Sequence, residues 1–314
     1  MNLFILPIVC MTAFTSPEKY TEPVHEVKVE RSVPYATVEG YYTHAPVGEK
    51  QATVRLLFHS GIPKPVTLEL DIYRPADEGT GPRPLLLMMP GGFFFIGHKG
   101  EPGQAGWCEY FASLGYIAVS IDYRLGYHPA KKEVRQAEYR ALEDADAALE
   151  YLFGREDLHI DKDRVFVAGT SAGAMTALNL AFRLYGNVPM KEVRPRLRRE
   201  GFRIRAVANL WGGVHDLSVV ENAPIPILSF QSVADPVMPY GSGYPMGLAG
   251  RLLSDPVFGT HAIHEKALSI GLRSDHHPCP EARHRLHLDD KMAYTERFYE
   301  IRDAMVRFYA EEME

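Results

Sequence analysis

The 314-residue sequence predicts an α/β fold: a mostly parallel, twisted sheet flanked by helices on both faces, with an antiparallel hairpin at its N-terminal edge. Three observations predict it. Five short runs are almost continuously apolar, as strands buried on both faces are. Segments of helical period separate them, which implies right-handed βαβ crossovers. Clear apolar/polar alternation is confined to two stretches near the start of the chain, the pattern of half-exposed antiparallel strands.

Residues 3–14, "LFILPIVCMTAF", are almost wholly apolar. The length suits the core of a signal peptide and is too short to span a membrane. No Lys or Arg precedes it and no clear small-residue cleavage site follows. Residues 1–16 are therefore read as an export signal or as a first segment packed on a cytoplasmic protein, with residues 17–314 forming one domain. Residues 15–50 are polar with Pro and Tyr and read as an irregular lead-in. "ATVRLLFHS" (52–60) and "VTLELDIYRP" (66–75) alternate around a Gly/Pro turn and form the expected hairpin.

The buried strands then follow at 84–90, 116–123, 164–169, 204–211 and 225–231, with helical segments at 104–114, 137–153, 172–185, about 259–271 and 292–309. Segments 186–203 and 237–257 fit neither pattern and are expected to serve as lid material. No other stretch approaches a transmembrane length.

Composition narrows the function. The net charge is −6, and "RPRLRRE" (194–200) is the one conspicuous basic block. A nucleic-acid partner is not expected, because phosphate binding needs a basic face. Cys10, Cys108 and Cys279 give neither a disulfide framework nor a paired metal motif. No metal and no organic cofactor is expected. Oligomeric state is not legible.

The chemistry centres on "GTSAGAMTALNL" (169–180). Ser171 follows an apolar strand, opens a helical pattern, and is bracketed by Gly169 and Gly173. A Gly-x-Ser-x-Gly at a strand-to-helix turn needs glycines because the backbone turns too sharply for flanking side chains, and it thrusts the serine out over the sheet edge. The pentapeptide alone is weak evidence, and a serine capping an ordinary helix is the alternative. The strand–turn–helix context favours a nucleophile.

A serine hydroxyl needs a base, and the base needs an orienting acid. Asp235, in "ILSFQSVADPVMPY", stands just after a later strand and is the favoured acid; the alternative is an Asp-Pro that simply starts a turn. Asp216, in "WGGVHDL", is the runner-up. Among the late histidines, His261 and His264 fall in a helix, and His276 and His277 lie on or beside the last strand. His284 and His287, in "ARHRLHLDD", occupy the loop where a base belongs. His284 is favoured because it comes first after the strand. His287 is expected to hydrogen-bond backbone or Asp289. A metal reading of this cluster lacks the spacing.

The oxyanion formed on attack needs preset N–H donors. One is the N–H of Ala172. The others are expected from the loop "MMPGGFFFIGHKG" (88–100), where Gly91 and Gly92 permit close backbone approach. Of Phe93, Phe94 and Phe95, at least one is expected in the core and another on the wall of the site.

These stretches, with "LDIYRPADEGTGPRPLLLMMPGGFF", "CEYFASLGYIAVSIDYRLG" and "IDKDRVFVAGTSAGAMTALNLAF", resemble the carboxylesterase-type α/β-hydrolases, in particular bacterial serine esterases, over about residues 65–310. The resemblance implies the α/β-hydrolase fold and serine-dependent ester hydrolysis. It implies Gly92 and Phe93 as the remaining oxyanion donors, and its His-x-Leu-His-x-Asp-Asp form again selects His284. The chain departs from the family in two places. Pro90 and Phe93 replace the His and third Gly of His-Gly-Gly-Gly-Phe, and Ala282-Arg283 replaces a Gly-Gly pair.

The expected activity is hydrolysis of a small-molecule or carbohydrate-linked ester. Short-chain, sugar acetate, aryl and hydroxycinnamoyl esters all fit. An exopeptidase or amidase would use the same three residues, but no amine-anchoring acidic pair is apparent. A non-catalytic binding module is the other alternative, because fold does not guarantee activity.

Overall fold

The computed structural model describes residues 20–44, 61–77, 79, 81–182 and 201–314. The strands are β1 (Val27–Gly40), β2 (Lys64–Pro75), β3 (Arg83–Met89), β4 (Ile117–Ile121), β5 (Ile160–Thr170), β6 (Ile204–Leu210), β7 (Ile227–Ser232), β8 (Ser242–Gly243), β9 (Val257–Phe258) and β10 (Ser274–Cys279). The helices are α1 (Pro102–Ser113), α2 (Lys131–Gly154), α3 (Ala172–Phe182), α4 (Thr260–Ser269) and α5 (Glu296–Glu311). Among the described residues the main sheet has eight strands in the order β1-β2-β4-β3-β5-β6-β7-β10. β2 runs antiparallel to β1 and β4, and the remaining neighbours are parallel.

The alternation within each buried strand builds two cores. Leu85, Leu87, Val165 and Val167 face one layer, where they meet Leu149 of α2, Leu178 of α3 and Ile263 of α4. Leu86, Met88, Phe166 and Ala168 face the other, against Trp107 and Phe111 of α1 and Met305 and Tyr309 of α5. The continuous apolar runs thus have the origin expected of them. This is the α/β-hydrolase fold.

The antiparallel pair is present, but its first strand is not the expected one. β2 pairs with β1 from Val27↔Pro75 to Gly40↔Lys64, so part of the supposed irregular lead-in is a strand. Its alternation is broken by register shifts between Glu30 and Val33 and between Pro34 and Ala36, with Ser32 at φ +52°. Residues 52–60 lie outside the described residues, as do 1–16 and most of 186–203. The 237–257 segment carries β8, a 3₁₀ turn at Ala249–Leu252 and the start of β9.

Strand order places the site. The chain leaves β3 towards β4 on one side and returns through α2 to β5 on the other. The crevice at the carboxyl ends of β3 and β5 is therefore the topological switch point, where open α/β sheets bind ligands.

Candidate active site

Ser171 stands at that switch point, between β5 and α3. Its φ is +52°, a left-handed conformation unusual for a residue with a side chain. The flanking glycines explain how the turn closes. A Cβ on Gly169 would lie 2.3 Å from the Gly173 carbonyl group, and one on Gly173 would lie 2.0 Å from the Met89 oxygen. The turn is pinned by the Ser171 N–H donating to the Leu210 carbonyl at 2.8 Å.

Three sequence-predicted residues meet here. His284 Nε2 lies 2.8 Å from Ser171 Oγ, and His284 Nδ1 lies 3.0 and 2.9 Å from the two Asp235 carboxylate oxygens. The Asp235 side chain is fully buried. Its Oδ1 also accepts the N–H groups of Val237 and Met238, and Gln231 Nε2 approaches Oδ2 at 3.3 Å. Gln231 is held in turn by Thr260, whose N–H and hydroxyl donate to Oε1. The Ser232 hydroxyl donates to the Glu281 carbonyl, which ties the end of β7 to the loop carrying His284. Asp216 is elsewhere: it caps the 3₁₀ turn Leu217–Glu221, accepting the Ser218 N–H.

His287 behaves differently from its sequence reading. Its side chain bonds neither backbone nor Asp289; Asp289 Oδ1 instead accepts the N–H groups of Lys291 and Ala293. The imidazole is buried at 2% exposure and stacks on Trp107 and Trp211 at centroid distances of 5.0 and 5.1 Å. Burial pushes its pKa down to about 3. The leucines and charges around it in the sequence gave no sign of this aromatic slot.

The loop expected to hold the oxyanion follows β3. Gly92, Phe93 and Phe94 have φ of +112°, +56° and +57°. Three left-handed residues in a row turn the chain back on itself, and the Phe95 and Ile96 N–H groups close onto the Gly92 carbonyl. Phe94 and Phe95 are buried, whereas Phe93 lines the cavity above Ser171. The loop is fastened from outside at four points. The Tyr123 hydroxyl donates to the Pro90 carbonyl, the Gly126 N–H to Phe94, the Tyr42 hydroxyl to Phe95, and the Lys99 N–H to Asp122. Lys99 Nζ sits 3.3 Å from Asp122 and within 3.7 Å of Glu69 and Asp71, so a buried ion-pair cluster anchors the far end. These contacts fix a loop that lacks the third glycine of the family pattern. Ala172 opens α3, so its N–H has no partner within the helix and stands at a helix N-terminus beside Ser171.

A cavity of about 400 Å³ opens over this arrangement. Gly91, Gly92, Phe93, Ser171 and His284 line it, together with Glu101, Thr170 and Trp211, which the sequence reading did not single out. Thr170 was legible in principle, as the residue between the elbow glycine and the serine. Among the described residues no group of three or more His, Cys, Asp or Glu side chains could hold a metal ion.

The BD-FAE family model matches residues 70–240, more than half of the chain, from within β2 to beyond Ser171 and Asp235. The chain belongs to the BD-FAE family. It is thereby an esterase-like, carboxylesterase-type α/β-hydrolase. The BD-FAE chain is also 31% identical over 105 residues to esterase LipC of Mycobacterium tuberculosis, covering 33% of this chain and 24% of LipC. It is 32% identical over 132 residues to the non-reducing polyketide synthase Preu6 of Preussia isomera, covering 40% of this chain and 6% of Preu6. The BD-FAE chain thus spans under a quarter of the length of these curated relatives. Among solved structures it is similar in fold to esterase 2 of Thermogutta terrifontis with butyrate bound, at TM-score 0.55 and 20% identity over 78% of this chain and 90% of that one. The same esterase phosphorylated by paraoxon matches at TM-score 0.57.

Proposed function

We propose that the protein is a serine carboxylic-ester hydrolase in which Ser171 is the nucleophile, His284 the general base and acid, and Asp235 the orienting acid. The observation that carries this reading is the continuous chain of contacts from Asp235 through both nitrogens of His284 to Ser171 Oγ, at 2.9 and 2.8 Å, under an open cavity. Ser171 Oγ attacks the ester carbonyl carbon while His284 Nε2 takes its proton. The carbonyl oxygen becomes an anion held by the N–H groups of Gly92, Phe93 and Ala172, which act on charge that develops only in the transition state. Asp235 holds the imidazole in the tautomer with Nδ1 protonated and stabilises the imidazolium. His284 then gives its proton to the departing alcohol. Water attacks the acyl-enzyme by the same route in reverse and frees Ser171.

Short-chain, acetyl or aryl esters, including carbohydrate-linked ones, are the proposed substrates, because the cavity is small and Phe93 and Trp211 line it. The butyrate-bound and paraoxon-phosphorylated forms of the Thermogutta enzyme support this reading. Residues 237–257, which contribute Val237 to the wall, are proposed as lid material.

The test is titration with an organophosphonate followed by mass spectrometry, beside turnover on p-nitrophenyl butyrate, acetylated sugars and feruloyl esters. One adduct at Ser171 and turnover of at least one short ester are expected. A chain that forms no adduct and turns over none would be a binding module, and the reading would be wrong.

A further inference from the structure

The carboxylate of Asp235 is held from behind by a side chain that lies outside the substrate cavity. Gln231, next to the end of β7, is fully buried and lines no part of the cavity above Ser171. Methionine would fill the same space, so the amide is to be explained by what it bonds. The backbone N–H of Thr260, which can only donate, lies 3.2 Å from Oε1, and this settles which way the amide faces. Nε2 therefore points the other way, towards the Met238 carbonyl at 2.9 Å, Asp235 Oδ2 at 3.3 Å and the Pro239 carbonyl at 3.4 Å. One of its hydrogens goes to Met238. The other lies between Asp235 and Pro239, where the carboxylate oxygen is the nearer and, being charged, the stronger acceptor.

The hydrogens behind Gln231 also run one way. The Thr260 hydroxyl, 2.8 Å from the same Oε1, gives its hydrogen to an oxygen that has none. Its lone pairs are then left for His276 Nε2 at 3.1 Å, which carries the hydrogen of that contact in turn. An imidazole on β10, a hydroxyl on α4 and an amide on β7 thus point donor to acceptor towards Asp235. Each link in such a chain is strengthened by the one behind it. Thr260 is itself fixed, because the Gly259 N–H donates to the Gly241 carbonyl and a Cβ on Gly259 would lie 1.8 Å from the Pro239 oxygen.

We propose that Gln231 is a positioning residue for ester hydrolysis, whose Nε2–H holds Asp235 Oδ2 so that the carboxylate stays turned to His284. The inference rests on the ester-hydrolase reading and deepens it. His284 Nδ1 lies 3.0 and 2.9 Å from the two carboxylate oxygens, so a small rotation of the carboxylate would spoil the contact. Oδ1 is fixed by the N–H groups of Val237 and Met238. Among the described residues Gln231 is the one side chain besides His284 that reaches Oδ2. Asp235 stabilises an imidazolium that forms only as Ser171 attacks, so a loosened carboxylate costs turnover and not substrate binding.

The experiment measures kcat and KM on p-nitrophenyl butyrate for wild type, Gln231→Met, Thr260→Val and Thr260→Ser. Active sites are counted by phosphonate titration, so that misfolded protein drops out. Gln231→Met keeps the bulk of the side chain and removes the donor. Its kcat is expected to fall roughly ten- to hundredfold with KM changed by less than about twofold, as one lost hydrogen bond to a charged group implies. Thr260→Val keeps the N–H to Oε1 but loses the hydroxyl, and its kcat is expected to fall roughly three- to tenfold, as one neutral hydrogen bond implies. Thr260→Ser restores the hydroxyl and is expected to stay within about twofold of wild type. A merely structural role would lower the melting temperature of Gln231→Met and Thr260→Val and leave kcat per active site untouched. Unchanged kcat per labelled site in Gln231→Met would overturn this inference and leave the ester-hydrolase reading standing. Should that variant not fold, equal kcat in Thr260→Val and Thr260→Ser would overturn it instead. A wild type that phosphonate does not label and that turns over no ester overturns both.

Discussion

At Ser171 a left-handed backbone conformation costs a non-glycine residue on the order of 1–3 kcal/mol, and the surrounding turn must hold it there. The reward is reach: Oγ stands clear of the sheet and 2.8 Å from His284. Ser171→Ala is expected to lose at least about a thousandfold in kcat on p-nitrophenyl butyrate while its circular dichroism and melting stay near wild type. His284→Ala is expected to lose turnover to a similar degree and also rapid phosphonate labelling, since labelling needs the activated hydroxyl. Rapid labelling of that variant would sink the choice of base. The two histidines of "RHRLH" show what the sequence does and does not carry at this scale. Their order after the last strand pointed to His284, and the resemblance agreed. The fate of His287 was not legible, because the two indoles that enclose it come from α1 and from the end of β6, far away in the chain.

Among the elements, the loop after β3 carries the strongest constraint. Gly92 at φ +112° cannot be matched by proline, whose ring fixes φ near −65°. A Cβ there would also fall 2.0 Å from the Ile96 oxygen. Gly92→Pro also removes one N–H donor, and a single oxyanion donor is worth roughly a hundred- to a thousandfold in kcat. The variant is expected to lose kcat far more than it raises KM, as steady-state kinetics on p-nitrophenyl butyrate would report; a pure KM effect would mean that the loop only binds substrate. The elements also differ in how much of themselves they wrote into the sequence. β3 to β7 were legible because each carries a largely apolar run that is buried on both faces. β1 was not, because it lies on the sheet edge, is almost nowhere fully buried, and is interrupted by two register shifts and a proline. Its "VKVERSVPYATVEG" has no clean period of two, so a better-alternating neighbour at 52–60 took its place in the reading.

Over the whole molecule, neutral imidazoles withdrawn from water make stability fall on the acid side. In the unfolded chain a histidine takes up its proton near pH 6.5. In the folded protein burial delays this to about 3 for His287 and about 4 for His276, which is crowded by His264 and His261 as well. Between those values the unfolded chain holds more protons, so this contribution is complete above pH 6.5 and shrinks as pH falls. For His287 the loss by pH 5 is on the order of 1–2 kcal/mol, and less for the half-exposed His276. The melting temperature is expected to drop from pH 7.5 to pH 5, and His287→Phe to flatten part of that drop; identical slopes for variant and wild type would contradict the assignment. Strand order has a separate consequence for failure under heat. Ser171 and the loop after β3 hang from β5 and β3 in the interior of the sheet, but His284 follows β10, which among the described residues is an edge strand paired with β7 alone. Edges open before centres. Warming is therefore expected to disarm the enzyme before it melts it: turnover fades, reversibly on cooling, some degrees below the loss of far-ultraviolet dichroism. Coincident curves would show that the β10 edge opens only with the rest. If they separate, catalysis in this fold reports on the fraying of a single strand, and cross-linking β10 to β7 would raise the working temperature without any change to the catalytic groups.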